Sequence, residues 1–276
     1  MAKCSICNKR GLFLKLNNGI CSQCEKKQEE LEIRRRREEF LKNKLARAKE
    51  ELDDLPLYKI ELAVEKRKRN KGYEEIPFSN ITPKGKYNEF VVFDTETTGL
   101  SPSKDRILEL AAVRFVDGKA VERFETLINP EREVPKEVTS INKITNEMVA
   151  TAPTISQVLP AFEQFVGKSN MVAHNLEFDL KFLFYSGSNI TELKRKYFDT
   201  LGQAQKLLKK PKKKYDKEFG VYDVDYESDY DVEDYKLGTL CNFYDITIPE
   251  QHRAAADALA TGKLFCSLVE EKQSRN

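Results

Sequence analysis

The chain has 276 residues, and its 47 Lys and Arg nearly balance its 45 Asp and Glu, for a formal net charge of +2. That balance excludes a simple polycation that grips nucleic acid by charge alone, so where the charges sit matters more than their sum. Trp is absent and there are only 12 Gly and 10 Pro, which excludes a collagenous or wholly disordered chain.

No apolar run approaches the roughly 20 residues that a bilayer span needs. Residues 1–10 are polar and basic and do not resemble a secretory signal. The expectation is a soluble, cytoplasmic protein with no membrane partner. The first segment, 1–25, carries Cys4-Ser5-Ile6-Cys7 and Cys21-Ser22-Gln23-Cys24, two Cys-x-x-Cys pairs. Four thiolates so spaced can surround one Zn²⁺ tetrahedrally. Leu12, Phe13, Leu14 and Ile20 give a minimal core, and Asn17-Asn18-Gly19 a turn. So small a module needs the metal to complete its fold. Redox knuckles and an iron–sulfur cluster are the competing readings. Cys241 and Cys266 fall in helical segments and read as packing residues.

Residues 26–86 form a charged, largely helical linker. Leu31, Phe40, Leu41, Leu45, Leu52 and Leu62 suggest helix, and Pro56 breaks or kinks it. The basic clusters 34–37 and 66–69 read either as a solvated face or as an arm that touches phosphates. From residue 87 to 276, strand and helix signals alternate. Residues 90–93 and 107–116 read as strands, Asp117-Gly118 as a hairpin turn, and 120–128 as the returning strand. Short strands follow at 171–173 and 197–199. Helices are expected at 155–166, 178–185, 201–208, 237–244 and 254–271. A meander followed by alternating α and β makes a mixed sheet flanked by helices. Residues 210–235 interrupt this pattern: basic to Lys214, then acidic and Tyr-rich. They read as a mobile surface insertion.

The chemistry concentrates in three places. In Phe93-Asp94-Thr95-Glu96-Thr97-Thr98-Gly99-Leu100, residues two apart on a strand point the same way, so Asp94 and Glu96 project together. Two carboxylates that close repel unless a cation lies between them, and hard divalent ions prefer such oxygen ligands. In Ala173-His174-Asn175-Leu176-Glu177-Phe178-Asp179 a strand runs into a helix whose early turns carry Asp179. In His252-Arg253-Ala254-Ala255-Ala256-Asp257-Ala258 a His precedes a helix that carries Asp257. Singly each is weak, since an Asp at a strand end is often a cap and a lone His is more often solvated than a base. Together they form an ordered set.

These residues resemble the DEDDh (DnaQ-like) 3′–5′ exonuclease family, the class of polymerase proofreading subunits and of ribonucleases acting on 3′ ends. The likeness covers about 88–271. The stretch 93–100 is similar to the family's first motif, His174, Asn175, Phe178 and Asp179 to its second, and His252, Ala254, Asp257 and Ala258 to its third. The resemblance implies an α/β fold with an RNase H-like mixed five-stranded sheet. It implies Asp94, Glu96, Asp179 and Asp257 as ligands of two Mg²⁺ or Mn²⁺ ions, and His252 as general base. Histidine suits that role because its ordinary titration falls near neutral pH. Thr97, Leu100, Ile144 and Asn175 are the implied substrate contacts, with Leu100 and Ile144 wedged against bases. The implied substrate is the 3′ end of single-stranded nucleic acid, DNA before RNA, and the implied partner a polymerase or repair complex. Two departures stand out: Asn142 occupies a place where many members carry His, and the acidic insertion lengthens a usually shorter connection. The alternative is a catalytically silent adaptor that keeps the fold.

Overall fold

The structure is a computed structural model that describes residues 2–3, 5–11, 15–18, 20–73, 88–190, 195–216 and 221–275. The chain divides into two compact units, Met1–Ala48 and Lys49–Asn276. In the first, β1 (Ala2–Lys3) pairs antiparallel with β2 (Arg10–Gly11), and β3 (Leu16–Asn17) with β4 (Ile20–Cys21). Helix α1 (Ser22–Asp53) begins inside the second cysteine pair and continues past the unit boundary. Its surface is charged, with i,i+4 pairs such as Arg34–Glu38 and Arg36–Glu32 that support an exposed helix.

The helix stops at Asp53, three residues before Pro56, whose ring disfavours helical backbone in the residue ahead of it. The expected helix therefore does not reach Leu62. Residues 54–73 instead run as an extended strap over the second unit. Tyr58 N donates to Arg123 O at 2.7 Å, Arg123 N to Pro56 O at 2.8 Å, and Ala63 N to Gln157 O at 2.9 Å. The Tyr58 ring meets Phe165 edge-on with centroids 5.2 Å apart. Gly187 lets the strap come close: its φ is +94°, and a Cβ there would lie 2.5 Å from Lys68 O. The linker residues 74–86 lie outside the described residues.

The sheet of the second unit holds β5 (Glu89–Thr97), β6 (Ile107–Val116), β7 (Lys119–Leu127), β8 (Asn170–Ala173) and β9 (Tyr197–Asp199). Its order is β7-β6-β5-β8-β9, antiparallel from β7 to β5 and parallel from β5 to β9. This is the mixed five-stranded sheet expected from the sequence. The short helices α2 (Lys136–Asn142) and α3 (Asn146–Ala150) follow β7; no apolar period announces α2. Helices α4 (Ile155–Val166) and α5 (Leu176–Tyr185) come next, then α6 (Thr200–Leu207).

Both faces of the sheet are covered, which is why β6 reads as a nearly unbroken apolar run. Val91, Phe93, Leu110 and Ala112 share one core with α4 and α5. Phe90, Val92, Ala111, Val113 and Phe115 share another with the start of α8 (Ala254–Ser274). Small residues bring α8 close: a Cβ on Gly262 would lie 2.2 Å from the Phe115 ring.

The insertion carries strand structure that its composition does not announce. Within it β10 (Lys212–Asp216) pairs antiparallel with β11 (Val221–Asp225). Lys212 faces Asp225 and Lys214 faces Asp223, so the basic run and the acidic run neutralise each other across the hairpin. Its exit is anchored too. Val232 is buried with Leu208 and Leu264 in a third core, beside Leu240 of α7 (Leu237–Phe243).

Candidate active site

Strand alternation puts Asp94 and Glu96 on the face of β5 that already carries Phe90 and Val92, the face that α8 covers. Asp257, one turn into α8, therefore meets them. The carboxylate oxygens of Glu96 and Asp257 and a ring nitrogen of His252 all lie within 4.8 Å of one another. Thr95 points to the opposite face and reaches α5. There its N–H (3.0 Å) and its hydroxyl (2.6 Å) both donate to Oδ1 of buried Asp179.

The electrostatics follow from this convergence. Burial, and then the charges of Asp179, Asp257 and Glu96, push Asp94 well above the usual carboxylate range. Burial raises Glu96 to about 7, against a hydrogen bond from Asn142 that lowers it. Burial likewise raises Asp179 to about 7, opposed by the two Thr95 bonds. Burial and then Glu96 raise Asp257 to about 7. The Arg253 guanidinium eases Glu96 but is itself committed to Glu109. Such a group of hard oxygens, short of cations of its own, has the donor chemistry of a divalent metal site.

His252 is exposed and its backbone is left-handed, at φ 61°. A non-glycine residue holds that conformation only when its surroundings enforce it. Its N–H donates to Asp257 Oδ2 at 3.1 Å. The next residue, Arg253, forks onto Glu109, with Nη2 at 2.6 Å and Nε at 3.2 Å, and Ala254 N donates to the same carboxylate at 2.9 Å. Glu109 faces Glu96 across the β5–β6 register. The motif reading missed Glu109; the available signal is a carboxylate inside an otherwise apolar strand, where charge persists only when paired.

The expected substrate residues separate. Leu100 is 84% exposed in the turn after β5, and Thr97 lies partly buried beside it, its hydroxyl donating to Gly99 O at 2.7 Å. Asn175 is exposed and left-handed at the start of α5, and its N–H donates to Asp199 Oδ1 at 3.0 Å. It lines a cleft of about 720 Å³ together with His174, Lys236, Gln251, His252 and Asp257. Ile144 corrects the expectation: it is fully buried with Leu108, Val134 and Val149, so it offers no surface to a base. Ile141, three residues earlier in the last turn of α2, is the exposed apolar side chain instead. Asn142 is buried, and its Nδ2 donates to Glu96 Oε2 at 3.3 Å.

In the first unit the sulfurs of Cys7, Cys21 and Cys24 lie within 4.8 Å of one another, with Cys7 and Cys21 at 3.8 Å. Cys4 lies outside the described residues, as do Leu12, Phe13, Leu14 and Gly19. Cys241 is buried, as expected of a packing residue, and Cys266 partly so.

Residues 91–265 match the model of the RNase_T exonuclease family. The DNA polymerase III PolC-type of Caldanaerobacter subterraneus subsp. tengcongensis is 34% identical over 186 residues, which are 67% of this chain and 12% of that relative. The PolC-type polymerase of Thermotoga petrophila is 37% identical over 204 residues, 73% of this chain and 13% of the relative. The chain thus spans about an eighth of the length of these relatives. Among solved structures, Exonuclease X in complex with 5′ overhanging duplex DNA is 24% identical, with a TM-score of 0.49, over 67% of this chain and 93% of that one. Escherichia coli Exonuclease I in complex with a dA16 oligonucleotide is 19% identical, with a TM-score of 0.48, over 68% and 42%.

Proposed function

The chain belongs to the RNase_T exonuclease family, and from that premise we propose that it hydrolyses phosphodiester bonds one nucleotide at a time from the 3′ end of single-stranded nucleic acid. The observation that carries this reading is the meeting of Glu96, Asp257 and His252 within 4.8 Å, with buried Asp94 feeling the charges of Asp179, Asp257 and Glu96. DNA is favoured over RNA because the PolC-type relatives are DNA polymerases.

In this reading Asp94, Glu96, Asp179 and Asp257 hold two Mg²⁺ or Mn²⁺ ions, which when bound supply stabilisation of the charge that builds on the phosphoryl and leaving oxygens. His252, exposed at the cleft edge, takes the proton of the attacking water. Its left-handed backbone and the bond to Asp257 set the direction in which its ring points. Thr95 fixes one oxygen of Asp179, and Asn142 steadies Glu96. The exposed Leu100 presents apolar surface against a terminal base, and stacking of that kind carries little sequence preference. Asn175 contributes from the other side of the cleft.

The same proposal assigns Cys4, Cys7, Cys21 and Cys24 to one structural Zn²⁺, with residues 1–25 as its module and 87–276 as the nuclease domain. It also places the protein with a polymerase or repair complex in the cytoplasm. Among the described residues no helix is long and apolar enough to cross a membrane.

The deciding experiment incubates the protein with 3′-labelled and 5′-labelled DNA and RNA strands in Mg²⁺ or Mn²⁺. The expected result is mononucleotide release from the 3′ label and a shortening ladder from the 5′ label, abolished by Asp94→Ala and by chelator. His252→Ala is expected to slow cleavage by about 10²- to 10⁴-fold. No metal-dependent cleavage of any strand would overturn the reading and leave a silent adaptor.

A further inference from the structure

The strap ends in the basic stretch 66–69. Two of its cations have carboxylate partners: Lys66 Nζ lies 3.7 Å from Glu131, and Arg67 Nη1 donates to Glu163 at 2.8 Å. Among the described residues Arg69 has none. Its Nη2 donates instead to the backbone carbonyls of Pro102, at 2.8 Å, and Ser103, at 3.3 Å. Arg106, at the far end of the same loop, also lacks a carboxylate partner among the described residues. Its Nη1 donates to the carbonyls of Lys104, at 2.7 Å, and Asp105, at 3.0 Å. Both guanidiniums line one narrow cleft of about 100 Å³, shared with Lys66, Arg67 and one carboxylate, Glu131, which lies 3.7 Å from Lys66 Nζ, so cations outnumber carboxylates in its wall. Burial, and then the charge of Arg106, lower the Arg69 guanidinium from its usual value.

Two cations held by neutral carbonyls, in a cleft whose one carboxylate lies beside Lys66, leave an excess of positive charge that calls for an anion. A guanidinium fork matches the paired oxygens of a phosphodiester better than a point charge does. The cleft is also mechanically tied to the candidate active site. Thr98, two residues after Glu96, donates its N–H to Arg106 O at 2.8 Å, and Arg106 N donates to Thr98 Oγ1 at 3.0 Å. Arg69 lies outside the stretch 91–265 that the exonuclease family model matches, so one member of the arginine pair belongs to the strap of this chain.

We propose that the Arg69–Arg106 cleft holds a backbone phosphate of the nucleic-acid substrate, at a nucleotide other than the one being removed. The proposal rests on the nuclease reading for the identity of the substrate. It gives the strap a function besides packing: a phosphate held there is registered against the catalytic carboxylates through the single Thr98–Arg106 turn.

The test is fluorescence-anisotropy binding of the full chain, in an Asp94→Asn background, to a labelled single strand of about 20 nucleotides across a salt series. A second arm uses a duplex with a recessed 3′ end. Arg69→Gln/Arg106→Gln is expected to weaken binding for every sequence and to flatten the salt slope by about 1. In the Asp94 protein, the kcat/KM advantage of the long strand over a trinucleotide is expected to shrink about tenfold. Arg69→Lys/Arg106→Lys, which keeps both charges, should recover the slope. A wild-type slope in the Gln variant on both the single strand and the recessed duplex overturns the proposal, and so does a Lys variant that behaves like the Gln variant. Loss confined to the recessed duplex assigns the phosphate to the complementary strand; loss on both assigns it to the strand being cut. Failure of the unsubstituted protein to cleave anything sinks the nuclease reading instead, and the binding arm still decides the cleft.

Discussion

Each of the four clustered carboxylates holds its proton more tightly in the folded chain than in an unfolded one, since burial raises Glu96, Asp179 and Asp257 to about 7 and Asp94 well above the usual range. The native state therefore binds protons that the unfolded chain releases. Their contribution to stability is full below an ordinary carboxylate pKa of about 4 and is lost as pH rises through about 7. Metal-free protein is expected to melt lower at about pH 8 than at about pH 5.5, and Asp94→Asn should narrow that gap. Mg²⁺ or Mn²⁺ should raise the melting temperature mainly at the higher pH, where the ligands are ionised. A melting temperature that rises with pH in chelator would refute this account.

Residue Glu109 lends itself to a comparison of variants. It is 1% exposed while the Arg253 side chain is 26% exposed, so the two truncations are not equivalent. Arg253→Ala strands a fully buried carboxylate, whereas Glu109→Ala leaves a guanidinium that can reach water. Arg253→Ala is expected to cost about 3–5 kcal/mol and Glu109→Ala less, read by urea denaturation. Equal costs would show that the pair is not electrostatically asymmetric.

Elements follow local pattern wherever a buried face imposes a period. The bounds of β6 and α4 match the expected 107–116 and 155–166, because apolar spacing and Thr154 at the helix start are local signals. The strap and the β10–β11 hairpin were hidden for the opposite reason. The strap is held by bonds to Arg123 and Gln157, far along the chain, and the hairpin by Lys and Asp runs that look disordered until paired. Helix α8 depends on close approach. Gly262→Ala would press a methyl into the Phe115 ring and should destabilise by about 1–3 kcal/mol, measured by thermal or urea unfolding. A neutral result would mean that α8 slides along the sheet without strain.

At the scale of the molecule, two units with different sources of stability share one chain. The larger has cores on both faces of its sheet. The smaller has two-residue strands and a cluster of cysteine sulfurs. Elemental analysis is expected to find one Zn²⁺ per chain, and chelation at neutral pH should unfold the first unit while the second keeps its melting transition. Retention of the first unit's structure without metal would remove the zinc assignment.

The sequence by itself determined the alternation of strands and helices and the two Cys-x-x-Cys pairs. It also determined which carboxylates and which histidine form an ordered set, since all of these are written in spacing along the chain. Tertiary structure alone decided that Glu109 and Arg253 brace the start of α8, that Ile144 is core rather than a base contact, and that Asn142 holds Glu96. It alone brought Arg69 of the strap beside Arg106. The physical reason is that a side chain's burial and charge partner are set by residues dozens of positions away, and no local period encodes them.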